Sequence, residues 1–149
     1  MVTIHFDSSA LLRRYDASEP GAQFVISACT SANGNRVALS EVTSVEVASA
    51  IGRKIREGSF RAAVGSDIWG LFRNHWRREY RVLRLSSAVY RQAERLVFDY
   101  PIRAIDSIHI ATALEQARAL DIESMAFWTA DKRQARAAEA EGLSVTLVA

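Results

Sequence analysis

Four carboxylates occur where a chain of alternating strands and helices could put them to use: Asp7, Glu46, Asp106 and Asp131. Asp7 follows the β-rich alternation Val2–Phe6, and Asp131 follows Ala126-Phe127-Trp128-Thr129. Ligands of open parallel α/β sheets bind beyond the carboxyl ends of the strands, so both acids are expected in one crevice. Glu46 falls in the first turn of a helix that follows a short strand, and Asp106 opens another helix. Four carboxylates on one sheet edge repel each other unless cations neutralise them. An all-oxygen set of this kind suits hard divalent ions, Mg2+ or Mn2+, and no Cys/His cluster suggests zinc. Each acid also has a plainer reading. Asp7 is a natural helix cap, and Asp106 and Asp131 are first-turn acids favoured by the helix dipole. Glu46 is harder to place, because it sits among Val45, Val47 and Ala48, where a lone carboxylate is costly.

The elements that must position these acids can be read from patterning. Val2–Phe6, Val37–Leu39, Val82–Leu85, Met125–Thr129 and Leu143–Val148 read as short strands. Helices are expected after Ser8 or Ser9, after Glu19-Pro20 with Pro in the first turn, and after Ser40 or Thr43. The last of these shows apolar positions at Val45, Ala48, Ile51 and Ile55 and ends at Gly58. Residues 60–79, a segment capped by Ser86 or Ser87 and stopped at Tyr100-Pro101, the run from Asp106, and Asp131–Glu141 with Gly142 as C-cap complete the set. Asn33-Gly34-Asn35 is a turn. Short apolar strands alternating with helices predict an α/β fold with a mainly parallel central sheet flanked by helices. No repeat or linker interrupts residues 1–149, which read as a single domain.

The chain carries 19 Lys and Arg against 17 Asp and Glu, a net charge of +2, and only Lys54 and Lys132 are lysines. Setting four carboxylates apart in one pocket leaves the remainder of the surface basic. Cys29 is the lone cysteine, has no disulfide or zinc partner, and reads as core. With no leader and no apolar run long enough to span a bilayer, a cytoplasmic location away from membranes is expected. His109 lies one helical turn after Asp106, where it packs, hydrogen-bonds or meets a phosphate. His5 is expected buried and His75 exposed. Trp69, Phe72 and Trp76 have the spacing of a core face, although bases could also stack on them.

The segments IHFDSSALLRRY, SEVTSVEVASAIGRK, IRAIDSIHIATALEQA and FWTADKRQARAAEAEGLSV, in this order, resemble the PIN-domain nucleases, and among them the VapC-type toxins of bacterial toxin–antitoxin pairs. The resemblance implies a PIN-like α/β/α sandwich and an Mg2+- or Mn2+-dependent endoribonuclease that cleaves phosphodiesters with metal-activated water. It assigns Asp7, Glu46, Asp106 and Asp131 to the metal and catalysis, and Ser9 and Thr129 to supporting the pocket. It further implies a small cognate antitoxin, an RNA substrate and a homodimer. Arg13, Arg14, Arg53, Lys54, Lys132 and Arg133 follow closely on the acidic segments and are candidate contacts to the RNA backbone, which would confer affinity without reading sequence. Their plainer reading is a solvated helix face.

Three other functions compete. One is a PIN-type RNA-processing nuclease that is not a toxin, and another is a catalytically silent binding module on the same fold. The third is phosphoryl transfer to Asp7. It is disfavoured because Ser9 stands where a dehalogenase-like enzyme needs a second Asp, and because the acid arrangement of a receiver domain is missing.

Overall fold

The computed structural model describes residues 2–148. The elements run in the order β1 (Thr3–Phe6), α1 (Ser8–Leu12), α2 (Ala22–Cys29), a 3-10 turn (Ser31–Asn33), β2 (Arg36–Ser40), α3 (Thr43–Arg56) and α4 (Ala62–Arg78). They continue through β3 (Arg81–Leu83), α5 (Ser87–Asp99), α6 (Ala104–Ala119), β4 (Ala126–Thr129), α7 (Lys132–Ala140) and β5 (Ser144–Leu147). The strands form one five-stranded sheet in the order β3-β2-β1-β4-β5, and every pairing is parallel. The chain fills one side of β1 first and then crosses to the other. The strand order therefore reverses between β1 and β4, and the crevice of such a sheet opens beyond the carboxyl ends of those two strands. Register places Phe6 beside Trp128, and Asp7 N–H donates to the Trp128 carbonyl at 3.1 Å.

Strand alternation gives the sheet two cores. Ile4 and Phe6 pack with Leu11, Val25, Leu39, Val47 and Phe72 on one face. Phe127 packs with Val89, Leu96, Ile110, Met125 and Leu143 on the other, where His5 stacks on it with ring centroids 5.5 Å apart. Cys29 packs partly buried against the first core, and burial pushes its thiol up to about 11. Phe72 is fully buried, with Trp69 and Trp76 packed against the same cluster, so the aromatic spacing marks core. No helix among the described residues is long and apolar enough to cross a membrane.

Several local expectations need correction. The α1 cap is Asp7, whose Oδ1 accepts from Ala10 N–H at 2.8 Å; Ser8 and Ser9 already lie inside the helix. Neither Ser40 nor Thr43 caps α3: Val42 holds that position without a side-chain bond, and Ser40 ends β2. Pro20 stands just outside α2, whose N-cap is Gly21 at φ +81. A Cβ there would overlap the Val148 carbonyl oxygen, so glycine admits both the backbone turn and the returning chain end. The buried face of α3 is Thr43, Val47, Ala50 and Ile51, not the set beginning at Val45, which is 69% exposed. Both sets have helical spacing and share Ile51, so packing rather than spacing sets the phase of α3. His75 is buried, because Tyr15 reaches its Nδ1 at 2.7 Å.

Candidate active site

Asp7 is buried at the tip of β1, with 2% of its surface exposed. Its Oδ1 accepts from Ala10 N–H, and its Oδ2 accepts from the Thr129 hydroxyl at 2.6 Å. The Ser9 hydroxyl lies 2.8 and 2.9 Å from the two oxygens and itself accepts Ala130 N–H at 3.0 Å. Capping thus fixes the carboxylate, and two hydroxyls from separate segments close around it. Burial pushes the Asp7 carboxyl up, against opposing contributions from His109, Thr129, Ala10 and Ser9. A buried anion that hydroxyls only partly compensate is a place where a further cation is electrostatically favoured.

Glu46 projects from the first turn of α3 and meets His109 Nε2 at 2.5 Å. His109 is 1% exposed, and its Nδ1 has no hydrogen-bond partner. The α6 helix carries a buried polar stripe, Asp106, His109, Thr112 and Gln116, facing the sheet. From it Gln116 Oε1 accepts from His5 Nδ1 at 2.8 Å, while His5 Nε2 and Thr43 Oγ1 are also buried without partners among the described residues.

Asp106 is buried in the first turn of α6 and gripped from outside by Arg103. Arg103 Nε donates to Asp106 Oδ2 at 3.0 Å and Nη2 donates to Oδ1 at 3.2 Å. Asp106 first, and then the more distant charges of Asp131 and Glu46, hold the Arg103 proton more firmly than usual; Asp106 is the acid the guanidinium touches. Asp131 caps α7, accepting from Arg133 N–H at 2.8 Å and Gln134 N–H at 3.1 Å. Gln134 is almost fully buried, lies 3.2 Å from the Thr129 hydroxyl through Oε1 and donates through Nε2 to the Asp106 carbonyl. Thr129 also accepts Asp131 N–H at 3.0 Å, so one hydroxyl joins the surroundings of Asp7 to the Asp131 loop.

Thr129 touches both Asp7 and the Asp131 backbone, and Gln134 joins that hydroxyl to the Asp106 carbonyl, so three of the four acids share one hydrogen-bonded cluster, while Glu46 pairs with His109 one turn along α6 from Asp106. Among the described residues no three His, Cys, Asp or Glu side chains are placed to hold one ion as they stand. Glu46 is turned to His109 and Asp106 to Arg103. In chemistry the donor set fits a hard divalent cation: it is made of carboxylate and hydroxyl oxygens, and a guanidinium already stands in as the local positive charge.

The expected basic rim divides. Arg13 donates to the Ser9 and Pro20 carbonyls, both at 2.7 Å. Arg14 is engaged inside the fold by the Tyr80 hydroxyl at 2.8 Å and Glu79 at 3.1 Å. Lys54 is paired with Asp16 and Glu19. Arg53, Lys132 and Arg133 are exposed. A cavity of about 200 Å3 lined by Ser9, Arg13, Asp16, Arg53 and Lys54 runs off beside the Asp7 end of the crevice. Arg103 and Gln134 were not among the residues singled out from sequence. Each had a signal, since Arg103 stands three before Asp106 and Gln134 completes an Asp-x-x-Gln pattern at a helix start.

Comparison with known proteins agrees with this geometry. The PIN domain family model matches residues 4–140. No curated protein sequence matches the chain. Among solved structures, VapBC2 from Rickettsia felis bound to a promoter DNA fragment is similar with TM-score 0.67 at 10% identity, covering 98% of each chain. A toxin–antitoxin complex from Klebsiella pneumoniae gives 0.57 at 16% identity, again covering 98% of each chain. Mycobacterium tuberculosis VapC20, a toxin that cleaves the sarcin–ricin loop, gives 0.60 at 14% identity, covering 95% of this chain and 98% of that one. With a family model matched over most of its length and a parallel sheet whose crevice gathers buried acids, the chain belongs to the PIN-domain family.

Proposed function

We propose that this protein is a metal-dependent endoribonuclease and the toxin of a VapBC-type pair. The observation that carries the reading is the buried Asp7 at the tip of β1, whose Thr129 partner also accepts the Asp131 N–H and is joined through Gln134 to the Asp106 carbonyl. The similarity to VapBC complexes supports the toxin role and, with it, an antitoxin partner; a homodimer and a cytoplasmic setting belong to the same proposal.

Asp7, Glu46, Asp106 and Asp131 are the residues that would hold Mg2+ or Mn2+. A bound divalent ion supplies the positive charge an anionic phosphodiester needs in order to enter an acidic crevice, and it lowers the pKa of an attacking water. The chain's own contribution is positioning. Ser9 and Thr129 hold both Asp7 oxygens in place. His109 orients Glu46 from within the core. Gln134 ties the start of α6 to the end of β4. The exposed Arg53, Lys132 and Arg133 stand on the surface as phosphate contacts. No nucleophilic side chain is required, and the raised thiol pKa of Cys29 in its partly buried setting agrees with that.

The test is incubation of the purified protein with total cellular RNA and Mn2+, with cut ends mapped beside an Asp7→Asn variant. The expected result is discrete cleavage that the variant and a chelator both abolish. Full activity in Asp7→Asn would refute the assignment. Absence of both Mn2+ binding and cleavage would favour a silent binding module on the PIN fold.

A further inference from the structure

Arg103 is a charge of the wrong sign for its place. It is the N-cap residue of α6, where the helix dipole favours anions, and its side chain makes no capping bond. Its guanidinium instead forks onto Asp106, through Nε at 3.0 Å and Nη2 at 3.2 Å, using both oxygens of a carboxylate that is otherwise buried. The two partners are unequally exposed, at 73% for the Arg103 side chain and 10% for that of Asp106. The acid belongs to the crevice wall, and the arginine reaches over it from solvent. Nothing else pins the Arg103 side chain, which has no other hydrogen bond or ion pair among the described residues. The carboxylate end is buried and the guanidinium end is solvated, so the fork is the one side-chain contact that the arginine breaks in leaving.

Resting on the metal-dependent reading above, we propose that Arg103 is an exchangeable internal cation: it neutralises Asp106 while the crevice lacks a metal ion, and once a divalent ion takes that carboxylate it turns to a phosphate of the RNA. Four acids in one crevice require compensating positive charge at all times, and Arg103 is placed to supply it before metal arrives. The same planar fork that fits a carboxylate fits a phosphate. Release therefore costs little when RNA is present, and the guanidinium passes from one anion to another at the mouth of the site. The metal and the substrate then favour each other's binding through this side chain.

Two variants separate this role from simple removal of charge. Arg103→Lys keeps the charge and loses the fork, whereas Arg103→Ala loses both. In calorimetric titration with Mn2+ alone, both are expected to bind the ion more tightly than the parent, by about fivefold if the fork contributes about 1 kcal/mol. Anisotropy of a labelled oligoribonucleotide, read immediately on mixing, is expected to show weaker RNA binding by Arg103→Ala in Mn2+ and no difference from the parent in EDTA. Unchanged or weaker Mn2+ binding by both variants overturns the proposal while leaving the metal centre intact, because the parent still binds the ion. An equal RNA defect with and without Mn2+ overturns the exchange and leaves Arg103 an ordinary surface contact. If the parent itself binds no Mn2+, the metal-dependent reading fails and this inference falls with it. A thermal melt of each variant confirms that it is folded.

Discussion

Two arginines in this chain each grip oxygen atoms, and they do so in opposite ways. Arg14 has a side chain only 14% exposed and donates to the Tyr80 hydroxyl; Tyr80 meets the Tyr15 hydroxyl, which reaches His75 Nδ1. With His75 neutral, this is an unbroken line of donors and acceptors, and it ties the turn after α1 to the end of α4. Burial is the leading influence pushing the Tyr80 hydroxyl up to about 12, so it stays a proton carrier throughout the range in which the protein is folded. Arg103, by contrast, holds a single carboxylate from solvent with a side chain 73% exposed. A buried network is expensive to disturb, whereas a solvated arginine held by one carboxylate can leave it without breaking any other side-chain bond. The difference marks which polar cluster maintains the architecture and which is available for chemistry.

The largest effect is expected on the Tyr80 side. Tyr80→Phe removes the hydroxyl shared by Arg14 and Tyr15 and should cost about 1–3 kcal/mol in denaturant unfolding. Mn2+ binding should be unchanged, and a coupled loss would mean that the two regions are not separate. At the crevice the sign should reverse. Asp7→Asn keeps an oxygen for Ala10 N–H and removes a buried charge whose carboxyl is already pushed up, so its Tm without metal should rise above that of the parent even as cleavage is lost. A fall in Tm would show that the Asp7 charge is well compensated by its surroundings. The smallest effect is a slope. Burial first, and then the charge of Arg14, hold the His75 pKa below the usual 6.5, with Glu79 opposing. Its proton therefore binds the unfolded chain better, so the stability it contributes is complete above pH 6.5 and drains away as the pH falls below that value. His75→Gln should flatten the decline in Tm between about pH 7.5 and about pH 5 relative to the parent, and parallel curves would count against this account.

The sheet was readable because each strand is a short apolar run bounded by turn or cap residues, and β1, β2 and β4 fell within a residue or two of expectation. The capping reading of Asp7 was right, and the same geometry aims its second oxygen at Thr129. The phase of α3 was not readable, because two sets of positions have helical spacing and only packing selects Val47 and Ala50 over Val45 and Ala48. His75 was misplaced for a related reason. Its neighbours Asn74 and Arg77 suggest a surface, while the partner that buries it, Tyr15, is 60 residues away. The links that organise the crevice are of the same long-range kind. Glu46 and His109 are 63 residues apart and Asp7 and Thr129 are 122 apart, so no local pattern could pair them. Arg103 was the exception, a short-range partner legible at i and i+3.

The double duty of Asp7 has a bearing on how such proteins age. On the proposed reading, in which Asp7 is also catalytic, an amide at that position would keep the first helix wound while removing the catalyst, so one conservative change could silence a lineage and leave its scaffold undamaged. Descendants that merely bind would then look sound by every test of folding, and only a test for turnover would tell them from working enzymes.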